Sequence, residues 1–466
     1  MQKFDYDVLI IGSGPGGCEA AFTAAQAGKK TAIIERKPHL GGVSLQTGTI
    51  PSKALREAAY LRSRFAAKGM RSAAFRDPSV NNHVFLTEAI QTKNTIVEKQ
   101  ESMLLSELMK YGISIIPGEA NFADEHTVKV YPENGKETVI SAEYIILATG
   151  SRPRRPAEIP FDKEVILDST SLLKIQRLPE SLIVIGGGVI ACELATMFAM
   201  LGVKIRIIDS HSQLLAYLDE DIIRNLMNHM EDMDIKIHLS ENLISVRRNG
   251  NTVTAVTDKE TYESAALLHA MGRQPNTEKL NLSALKNIIL DNYGYIPVNE
   301  NFQTAVPHIY TVGDLAGKPS LAATAMKQGR HAVSHAFQLS TAHQKIQVPM
   351  AIYTIPELSY AGSTEKELQD KNINYVSGTG EYSRTARGQI IGSNRGMLKM
   401  LADKKSKKIL GIHIIGENAS ELIHTGLIAL HFESTVQDLA GMIYNYPTLA
   451  ECYRTAALEC MRKCEQ

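Results

Sequence analysis

A strand, a glycine-rich turn and a helix follow one another at two places in the 466-residue chain, and this repeat limits the possible folds more than any other feature. The first copy joins an apolar run at 6–11 to the turn Gly12-Ser13-Gly14-Pro15-Gly16-Gly17. The second joins an apolar run at 181–185 to Gly186-Gly187-Gly188. A short apolar strand that leads through glycines into a helix is typical of the βαβ unit of a parallel sheet. The sequence therefore predicts an α/β fold with a duplicated unit.

Both glycine turns have the spacing of a loop that holds the pyrophosphate of a dinucleotide. In the pattern G-x-G-x-x-G, the first glycine permits a tight turn, the second lets the backbone approach the phosphates, and the third lets the helix pack closely. The N-terminus of the helix adds a partial positive charge. The first loop has Gly12, Gly14 and Gly17 at these positions, and the second has Gly186, Gly188 and Ala191. We therefore expect two Rossmann-like dinucleotide-binding domains.

Composition excludes several other classes of protein. Lysine plus arginine and aspartate plus glutamate are equal at 50 each, so the chain lacks the net positive charge that collects nucleic acid. The apolar stretches 8–28 and 181–203 each carry a glycine cluster followed by Glu19 or Glu193, which argues against membrane insertion. Five cysteines without zinc spacing indicate a reducing compartment and no metal site. We expect a cytoplasmic protein.

Three further segments give the two loops a more specific meaning. They are Ile50-Pro51-Ser52-Lys53, Ala148-Thr149-Gly150-Ser151-Arg152-Pro153 and Tyr310-Thr311-Val312-Gly313-Asp314. Together with the first glycine loop they resemble the signature set of the two-dinucleotide flavoprotein disulfide reductases, such as dihydrolipoamide dehydrogenase and glutathione reductase. The resemblance implies FAD at the first loop and NAD(H) at the second, with NADP(H) left open.

The resemblance also implies roles for single residues. Asp314 would bind the ribitol chain of FAD, with Gly313 allowing its backbone to come close. Lys53 would lie near flavin N5, where a fixed cation stabilises negative charge, and Glu193 would pair with it. Val189 would border the nicotinamide entry. The remaining expected cofactor contacts are Glu35, Thr49, Thr149, Gly150, Asp209 and Gly272.

The coenzyme preference of the second site rests on an acid at the end of the next strand. Asp209 favours a free ribose 2′-hydroxyl and would repel a 2′-phosphate. Ala191 is more familiar from NADP-using relatives, however, and nearby cations could offset the repulsion. These cations are Lys204, Arg206 and His211. We expect ready use of NADH, while the sequence leaves NADPH open.

The thiol chemistry of the disulfide reductases is missing. Their two redox cysteines stand in a G-G-x-C-x-x-x-x-C-I-P-S-K pattern, and this chain has Ser44 and Thr49 there. A hydroxyl cannot form a disulfide or a thiolate, so the usual relay from flavin to disulfide is excluded. The histidine of their H-P-T-x-x-E segment is Tyr446 here, followed by Glu451. A tyrosine is a poor proton shuttle at neutral pH.

This combination most closely resembles the soluble pyridine nucleotide transhydrogenases over nearly the whole chain. The resemblance implies ping-pong hydride transfer between nicotinamide nucleotides through FAD, with Lys53, Glu193, Tyr446 and Glu451 as the catalytic set. The chain departs from the transhydrogenases at Ser44, where they commonly keep a cysteine. Two alternatives stay open: an NAD(P)H diaphorase or quinone reductase, and a non-catalytic flavoprotein that senses NAD(H).

The same resemblance sets the expected domain order. An FAD-binding domain would comprise 1–150 and 272–345, with a helical insert at about 54–110. An NAD(P)-binding domain would comprise 151–271. A C-terminal α+β domain at 346–466 would form a homodimer and bring Tyr446 and Glu451 near the flavin of the partner. Tyr446 could equally be a packed interface residue without a chemical role.

Overall fold

The computed structural model describes residues 3–67, 78–339, 347–393 and 395–466. The predicted α/β fold is confirmed: two parallel sheets carry the two glycine loops, and a third, antiparallel sheet follows them. The first stretch of the chain contains β1 (Tyr6–Ile11), α1 (Pro15–Gln26), β2 (Thr31–Glu35), α2 (Gly42–Gln46), α3 (Thr49–Ala67), α4 (Pro78–Lys110), β3 (Ser114–Pro117), β4 (Glu119–Phe122), β5 (Thr127–Tyr131), β6 (Thr138–Leu147) and β7 (Ser151–Pro153).

The second stretch contains the repeated unit. Its elements are β8 (Ile166–Asp168), α5 (Ser169–Leu172), β9 (Ser181–Ile185), α6 (Val189–Met200), β10 (Lys204–Ile208), α7 (Glu220–Asp232), β11 (Lys236–His238), β12 (Leu243–Asn249), β13 (Thr252–Thr257), β14 (Thr261–Ser264), β15 (Ala266–His269) and β16 (Arg273–Pro275). Strands β1 and β9 occupy the ranges that the apolar runs predict, because the last four residues of each are apolar and buried at the centre of a sheet.

The third stretch returns to the first sheet and then builds the antiparallel one. Its elements are β17 (Ile309–Thr311), α8 (Ala322–Ala336), β18 (Met350–Ile352), β19 (Leu358–Gly362), α9 (Glu365–Asp370), β20 (Tyr375–Glu381), α10 (Ala386–Ile391), β21 (Met397–Asp403), β22 (Ile409–Ile415), α11 (Ala419–His431), α12 (Val436–Gly441) and α13 (Glu451–Cys464). Short 3₁₀ helices lie at Leu282–Ala284, Gly313–Leu315 and Tyr382–Arg384.

The two parallel sheets have the same strand arrangement. The first runs β3-β2-β1-β6, with β17 added parallel to β6, and antiparallel β5 and β4 extend it. The second runs β11-β10-β9-β15-β8. In each sheet, the strand that precedes the glycine loop is central. Because each loop directly follows its strand, both loops lie at the carboxyl ends of the strands, where open α/β sheets bind ligands.

The helical insert begins earlier than the sequence suggested. Helix α3 starts at Thr49 rather than at about residue 54. Pro51 lies in its first turn, where a missing N–H breaks no helical hydrogen bond. The insert continues in α4, and residues 68–77 lie outside the described residues. The early start places Thr49 and Lys53 on one rigid helix.

Helices α1 and α8 pack closely behind the first loop. A Cβ on Gly329 would lie 2.1 Å from the carbonyl oxygen of Gly16, so the contact requires glycine. Beyond it, the antiparallel sheet β18-β19-β22-β21-β20 is covered by α11 and α13. In the part of the chain that the structure describes, no helix is both long and apolar enough to cross a membrane.

Candidate functional site

A cavity of about 1050 Å³ opens where the two parallel sheets and the start of the antiparallel sheet meet. Its walls come from all three parts of the chain. Among the residues with an expected role, it is lined by Gly12, Gly14, Glu35, Thr49, Lys53, Thr149, Gly150, Val189, Glu193, Gly313 and Asp314. A cleft of this size suits a large cofactor together with part of a second ligand.

The first glycine loop has the backbone that a pyrophosphate site requires. Gly12 has φ of +107°, a conformation that favours glycine. A Cβ on Gly14 would meet no atom within 4 Å and would instead fill the cavity that this residue lines. A Cβ on Gly17 would lie 2.0 Å from the carbonyl oxygen of Gly12. The backbone at Gly12 and the close packing at Gly17 agree with the motif, and the approach of Gly14 to a pyrophosphate stays a prediction.

Glu35 ends β2 beside this loop and is held in a fixed orientation. Its Oε2 accepts hydrogen bonds from the backbone N–H of Ser13 at 2.9 Å and from the Ser13 hydroxyl at 2.7 Å. Its Oε1 accepts one from the backbone N–H of Lys37 at 2.9 Å. The carboxylate therefore stiffens the loop and lies at the cavity wall, where ribose hydroxyls could also reach it.

Asp314 also lines the cavity and belongs to a network that the motifs did not reveal. The Ser151 hydroxyl donates to Asp314 Oδ2 at 2.5 Å, and Arg273 Nε donates to the same hydroxyl at 2.8 Å. The guanidinium of Arg273 also lies 3.6 Å from Asp314 Oδ2, and burial lowers its pKa. Gly313 donates its N–H to the side chain of Gln328 at 2.7 Å. Only the adjacency of Arg273 to the expected contact Gly272 hinted at this network.

Thr149 and Gly150 follow β6 of the first sheet, and Thr149 is hydrogen-bonded to Asn276, the residue after β16. Thr149 Oγ1 donates to the carbonyl oxygen of Asn276 at 2.8 Å, and Asn276 Nδ2 donates back to the Thr149 carbonyl oxygen at 2.9 Å. Gly150 has φ of +65°. Strands β7 and β16 pair antiparallel just beyond this point. The segment that leads out of the first part of the fold therefore lies beside the segment that returns to it.

The second glycine loop lies mostly outside the cavity. Gly186 has φ of +110°, and a Cβ on Gly188 would meet no atom within 4 Å. Neither residue lines the cavity, and the same holds for Asp209 and Gly272. Only the residues that follow the loop, from Val189 onward, reach it. The second loop therefore lies next to the cavity wall formed by Val189 and is not part of that wall itself.

Asp209 is buried at the end of β10, and one nearby imidazole caps it. The carboxylate Oδ1 lies 3.0 Å from His211 Nδ1, and the imidazole is 72% exposed. Of the other two cations, Lys204 is exposed, whereas the guanidinium of Arg206 lies 4.5 Å above the ring of Tyr262. Of the three cations, His211 is the one whose side chain lies within hydrogen-bond distance of the acid.

Lys53 and Glu193 meet across the cavity as the resemblance implied. Lys53 Nζ lies 2.7 Å from Glu193 Oε2, and the two side chains are 26% and 12% exposed. The second oxygen, Oε1, accepts the backbone N–H of Tyr353 at 2.8 Å. Lys53 Nζ also lies 4.7 Å from the centre of the Tyr353 ring. Helices α3 and α6 and the loop after β18 thus converge on one ion pair.

The same loop is tied to both helices one turn further along. Arg56 Nη2 donates to the carbonyl oxygen of Thr354 at 3.1 Å, and Arg56 lies 3.2 Å from Glu357. Thr196 accepts the N–H of Ile355 through its hydroxyl at 3.1 Å. We call residues 353–357 the clamp loop. No role for its side chains followed from the sequence.

The positions of the missing thiols also line the cavity. Ser44 lies in α2 and Thr49 begins α3. All five cysteines of the sequence belong to described residues and are free thiols. Burial raises the pKa of the Cys18 thiol to about 12, so this thiol is protonated at neutral pH.

Tyr446 and Glu451 lie away from the cavity of their own chain. Tyr446 is 76% exposed, and Glu451 begins α13, where its Oε2 accepts the N–H of Thr448 at 3.4 Å. Ile443 and Phe432 are also strongly exposed on this part of the fold. A second chain would have to cover this surface for Tyr446 to take part in a site.

One cluster of carboxylates resembles a metal site. Asp219, Asp221 and Glu365 offer oxygens within 4.8 Å of one another. The ammonium of Lys399 lies among them, at 2.7, 2.6 and 2.8 Å. Burial alone would lower the pKa of Lys399, but these three hydrogen bonds outweigh it and raise that pKa. The cluster thus already holds a cation from the protein itself.

Comparison with known proteins agrees with this geometry. The family model described as pyridine nucleotide-disulphide oxidoreductase matches residues 6–329, and the model of its dimerisation domain matches residues 348–457. A soluble pyridine nucleotide transhydrogenase of Mycobacterium bovis is 38% identical over 461 residues, covering 98% of each chain. That of Pectobacterium atrosepticum is 38% identical over 463 residues, again covering 98% of each.

Two solved structures are similar along nearly the full length. LpdA from Mycobacterium tuberculosis has a TM-score of 0.89 and 26% identity, covering 97% of this chain and 98% of its own. The HOCl-induced flavoprotein disulfide reductase RclA from Escherichia coli has a TM-score of 0.87 and 26% identity, covering 97% and 99%.

Proposed function

The chain belongs to the pyridine nucleotide-disulphide oxidoreductase family, and on that premise we propose that it is a transhydrogenase that moves hydride between NADH or NADPH and NAD(P)⁺. It is an oxidoreductase that depends on FAD and NAD(P), and it carries the dimerisation domain of its family. The names of the transhydrogenases to which it is 36–38% identical support this activity. The cytoplasmic location stays a prediction.

The observation that carries the proposal is the shared cavity. The first glycine loop, Asp314 and the start of α6 line one continuous space. A cofactor bound at the first loop would therefore extend toward Val189, where a nicotinamide would enter. Bound FAD would supply hydride storage, taking hydride from one nicotinamide and returning it to another in a ping-pong order.

The residues present fit the two ligands. The open space at Gly14 suits the pyrophosphate of FAD, Glu35 its adenosine ribose, and Asp314 its ribitol chain. Gly188 and Asp209 would take the corresponding parts of the nicotinamide nucleotide, with NADH used readily. The buried position of Asp209 supports this preference, because a 2′-phosphate would meet its negative charge.

Lys53 would hold a positive charge beside the reacting end of the cofactor. Its ion pair with Glu193 fixes the ammonium at the cavity wall. Since Ser44 and Thr49 replace the redox cysteines, electrons would leave by a diffusible acceptor instead of a disulfide. Tyr446 and Glu451 would act only in the dimer, from the partner chain.

The test uses FAD-loaded protein under anaerobic conditions, with NADPH as donor and a thio-analogue of NAD⁺ as acceptor. We expect reduction of the analogue in proportion to bound FAD, and parallel lines in double-reciprocal plots. FAD-free protein is the control. Reduction of a quinone without reduction of the analogue would favour the diaphorase, and bound FAD that NADH cannot bleach would favour the sensor.

Two matched variants locate the path of hydride. Val189 and Val43 are both valines of the cavity wall, one on α6 and one on α2. Val189→Phe should slow the reduction of FAD by NADH at least tenfold, because it narrows the expected nicotinamide entry. Val43→Phe should leave that step within about twofold. Equal effects of the two variants would contradict the assignment of α6 to the nicotinamide side.

A further inference from the structure

The Lys53–Glu193 pair is held by a third residue that no motif assigns. Both carboxylate oxygens of Glu193 are committed, Oε2 to Lys53 at 2.7 Å and Oε1 to the backbone N–H of Tyr353 at 2.8 Å. The orientation of the carboxylate is thereby fixed. The ammonium of Lys53 is less constrained, because the ion pair is one contact and the side chain stays 26% exposed.

The ring of Tyr353 supplies a second contact for the ammonium. Lys53 Nζ lies 4.7 Å from the ring centre, inside the range of a cation–π interaction. A lysine stem has four rotatable bonds, so one contact in a wide cavity would leave the charge free to move. The ring and the carboxylate together restrict it to one position.

The clamp loop makes this ring a fixed platform. Thr354 and Glu357 are held by Arg56, one turn beyond Lys53 on α3. Ile355 is held by Thr196, three residues beyond Glu193 on α6. The clamp loop is thus bonded to both helices that carry the ion pair, at Thr354 and Glu357 to α3 and at Ile355 to α6. A movement of the ring would require several of these hydrogen bonds to break.

We propose that Tyr353 is a positioning residue that sets the place of the Lys53 ammonium beside the cofactor and so tunes hydride transfer. The inference rests on the proposed function, because it assigns the ammonium an effect on the bound FAD. In this proposal the face of the aromatic ring acts on the ammonium, and the hydroxyl, which interacts with the Ser420 side chain, does not. Tyr353→Phe therefore keeps the effect, and Tyr353→Leu removes it while it preserves the backbone N–H to Glu193.

The kinetic arm measures anaerobic reduction of bound FAD by NADH, with spectroelectrochemical titration of the FAD midpoint potential. For Tyr353→Leu we expect a limiting rate about fivefold lower, from the loss of one partly shielded cation–π contact. The midpoint potential should become more negative, while the dissociation constant for NADH stays within about twofold. Tyr353→Phe should match the native protein. Tyr360→Leu, which removes another half-buried tyrosine on β19, the strand that follows the clamp loop, is the control.

The structural arm needs no turnover. Lysine labelled with ¹³C at Cε reports ring-current shifts, and Lys53→Arg identifies the Lys53 signal. We expect an upfield shift of that signal in the native protein and in Tyr353→Phe, and its loss in Tyr353→Leu. Absence of the shift in the native protein would overturn the geometry.

The outcomes separate the inference from the proposed function. A native flavin that NADH does not reduce would refute the function, and the tuning role with it, whatever the NMR signal. A native protein that is reduced normally, with equal rates and potentials in Tyr353→Leu and Tyr360→Leu, would refute only the role of Tyr353. A Tyr353→Phe variant as slow as Tyr353→Leu would refute the claim that the ring face acts.

Discussion

The two glycine loops have nearly the same backbone but different surroundings. Gly12 and Gly186 have φ of +107° and +110°. A cysteine thiol donates to a loop carbonyl in both, from Cys18 to Ser13 at 3.0 Å and from Cys192 to Gly187 at 3.5 Å. The shared geometry indicates that the βαβ unit itself fixes the shape of the glycine loop.

The differences lie in what surrounds each loop. The first loop lines the large cavity, and its acid, Glu35, is bonded to the loop through Ser13. The second loop has Gly187 in place of the serine, and Asp209 is bonded to His211 instead. A loop that lines the large cavity and has a fixed acid suits a resident cofactor, whereas a loop outside that cavity suits a nucleotide that must exchange. The side chains, not the backbone, make this distinction.

The largest effect is expected at the third position of the motif. Gly17→Ala would place a Cβ 2.0 Å from the Gly12 carbonyl oxygen, so the loop must shift. We expect a loss of about 3 kcal/mol in the free energy of unfolding and little bound FAD. The second loop already has alanine there, so Ala191→Gly should cost only about 1 kcal/mol. Denaturant unfolding and FAD content are measured for both variants. Equal losses of unfolding free energy in Gly17→Ala and Ala191→Gly would contradict the expected difference between the loops.

The next largest effect is expected at the Lys53–Glu193 ion pair, which joins α3 to α6. Lys53→Met removes the cation beside the cavity and leaves Glu193 without its partner. We expect FAD reduction by NADH to slow about 100-fold, the scale of one lost electrostatic contact to a reacting centre. FAD content should stay near that of the native protein, because the first loop is unchanged. Stopped-flow reduction checks this, and a normal rate would contradict the role of Lys53.

A smaller effect is expected from the two acids that follow the glycine loops, Glu35 and Asp209, which should influence different ligands. Asp209→Asn removes the charge that opposes a 2′-phosphate, so the ratio of NADPH to NADH specificity constants should rise about tenfold, the size of one modest polar contact. Glu35→Gln should leave this ratio unchanged and lower the affinity for FAD instead. Steady-state kinetics and FAD titration measure the two responses. A change in the NADPH ratio in Glu35→Gln would break the assignment of one acid to each ligand.

The smallest effect is a difference in acid stability between the two sheets. His269 pairs with Ile185 in the second sheet, where Leu147 pairs with Ile11 in the first. Burial lowers the pKa of His269 below its ordinary 6.5. Below pH 6.5 the unfolded chain binds this proton first, so native stability should fall with falling pH.

His269→Leu makes the second sheet like the first at this position. We expect its stability to fall less steeply between pH 6.5 and the lower pKa of the folded state, as measured by denaturant unfolding at several pH values. His126→Leu is the control, since His126 is half-buried at the edge of the first sheet. An unchanged pH slope in His269→Leu would contradict the prediction.

Sequence reasoning located the local elements well. The strands β1 and β9 have the predicted bounds, because apolar runs bounded by glycines leave few alternatives. The start of α3 was placed late, since proline in a first helical turn reads as a break unless the turn is known. The contact of Lys53 with Glu193 came from family resemblance, and the structure contains it.

Other parts of the site could not be found in the sequence. Ser151 and Arg273 are 122 residues apart, yet they form one network with Asp314. Tyr353 lies 160 residues from Glu193. No local pattern links such positions, because the contacts depend on how three separate sheets pack. The roles of Tyr446 and Glu451 stay predictions, since they depend on a second chain.

The sequence by itself determined the two glycine loops, their acids and the absence of cysteines at positions 44 and 49, because these follow from residue type and short spacing. Only the tertiary structure decided that the first glycine loop lines the cavity and that the second lies outside its wall. It also decided that the clamp loop grips both α3 and α6 around the ion pair. The physical reason is that hydrogen bonding and burial act between neighbours in space, which the order of residues does not specify.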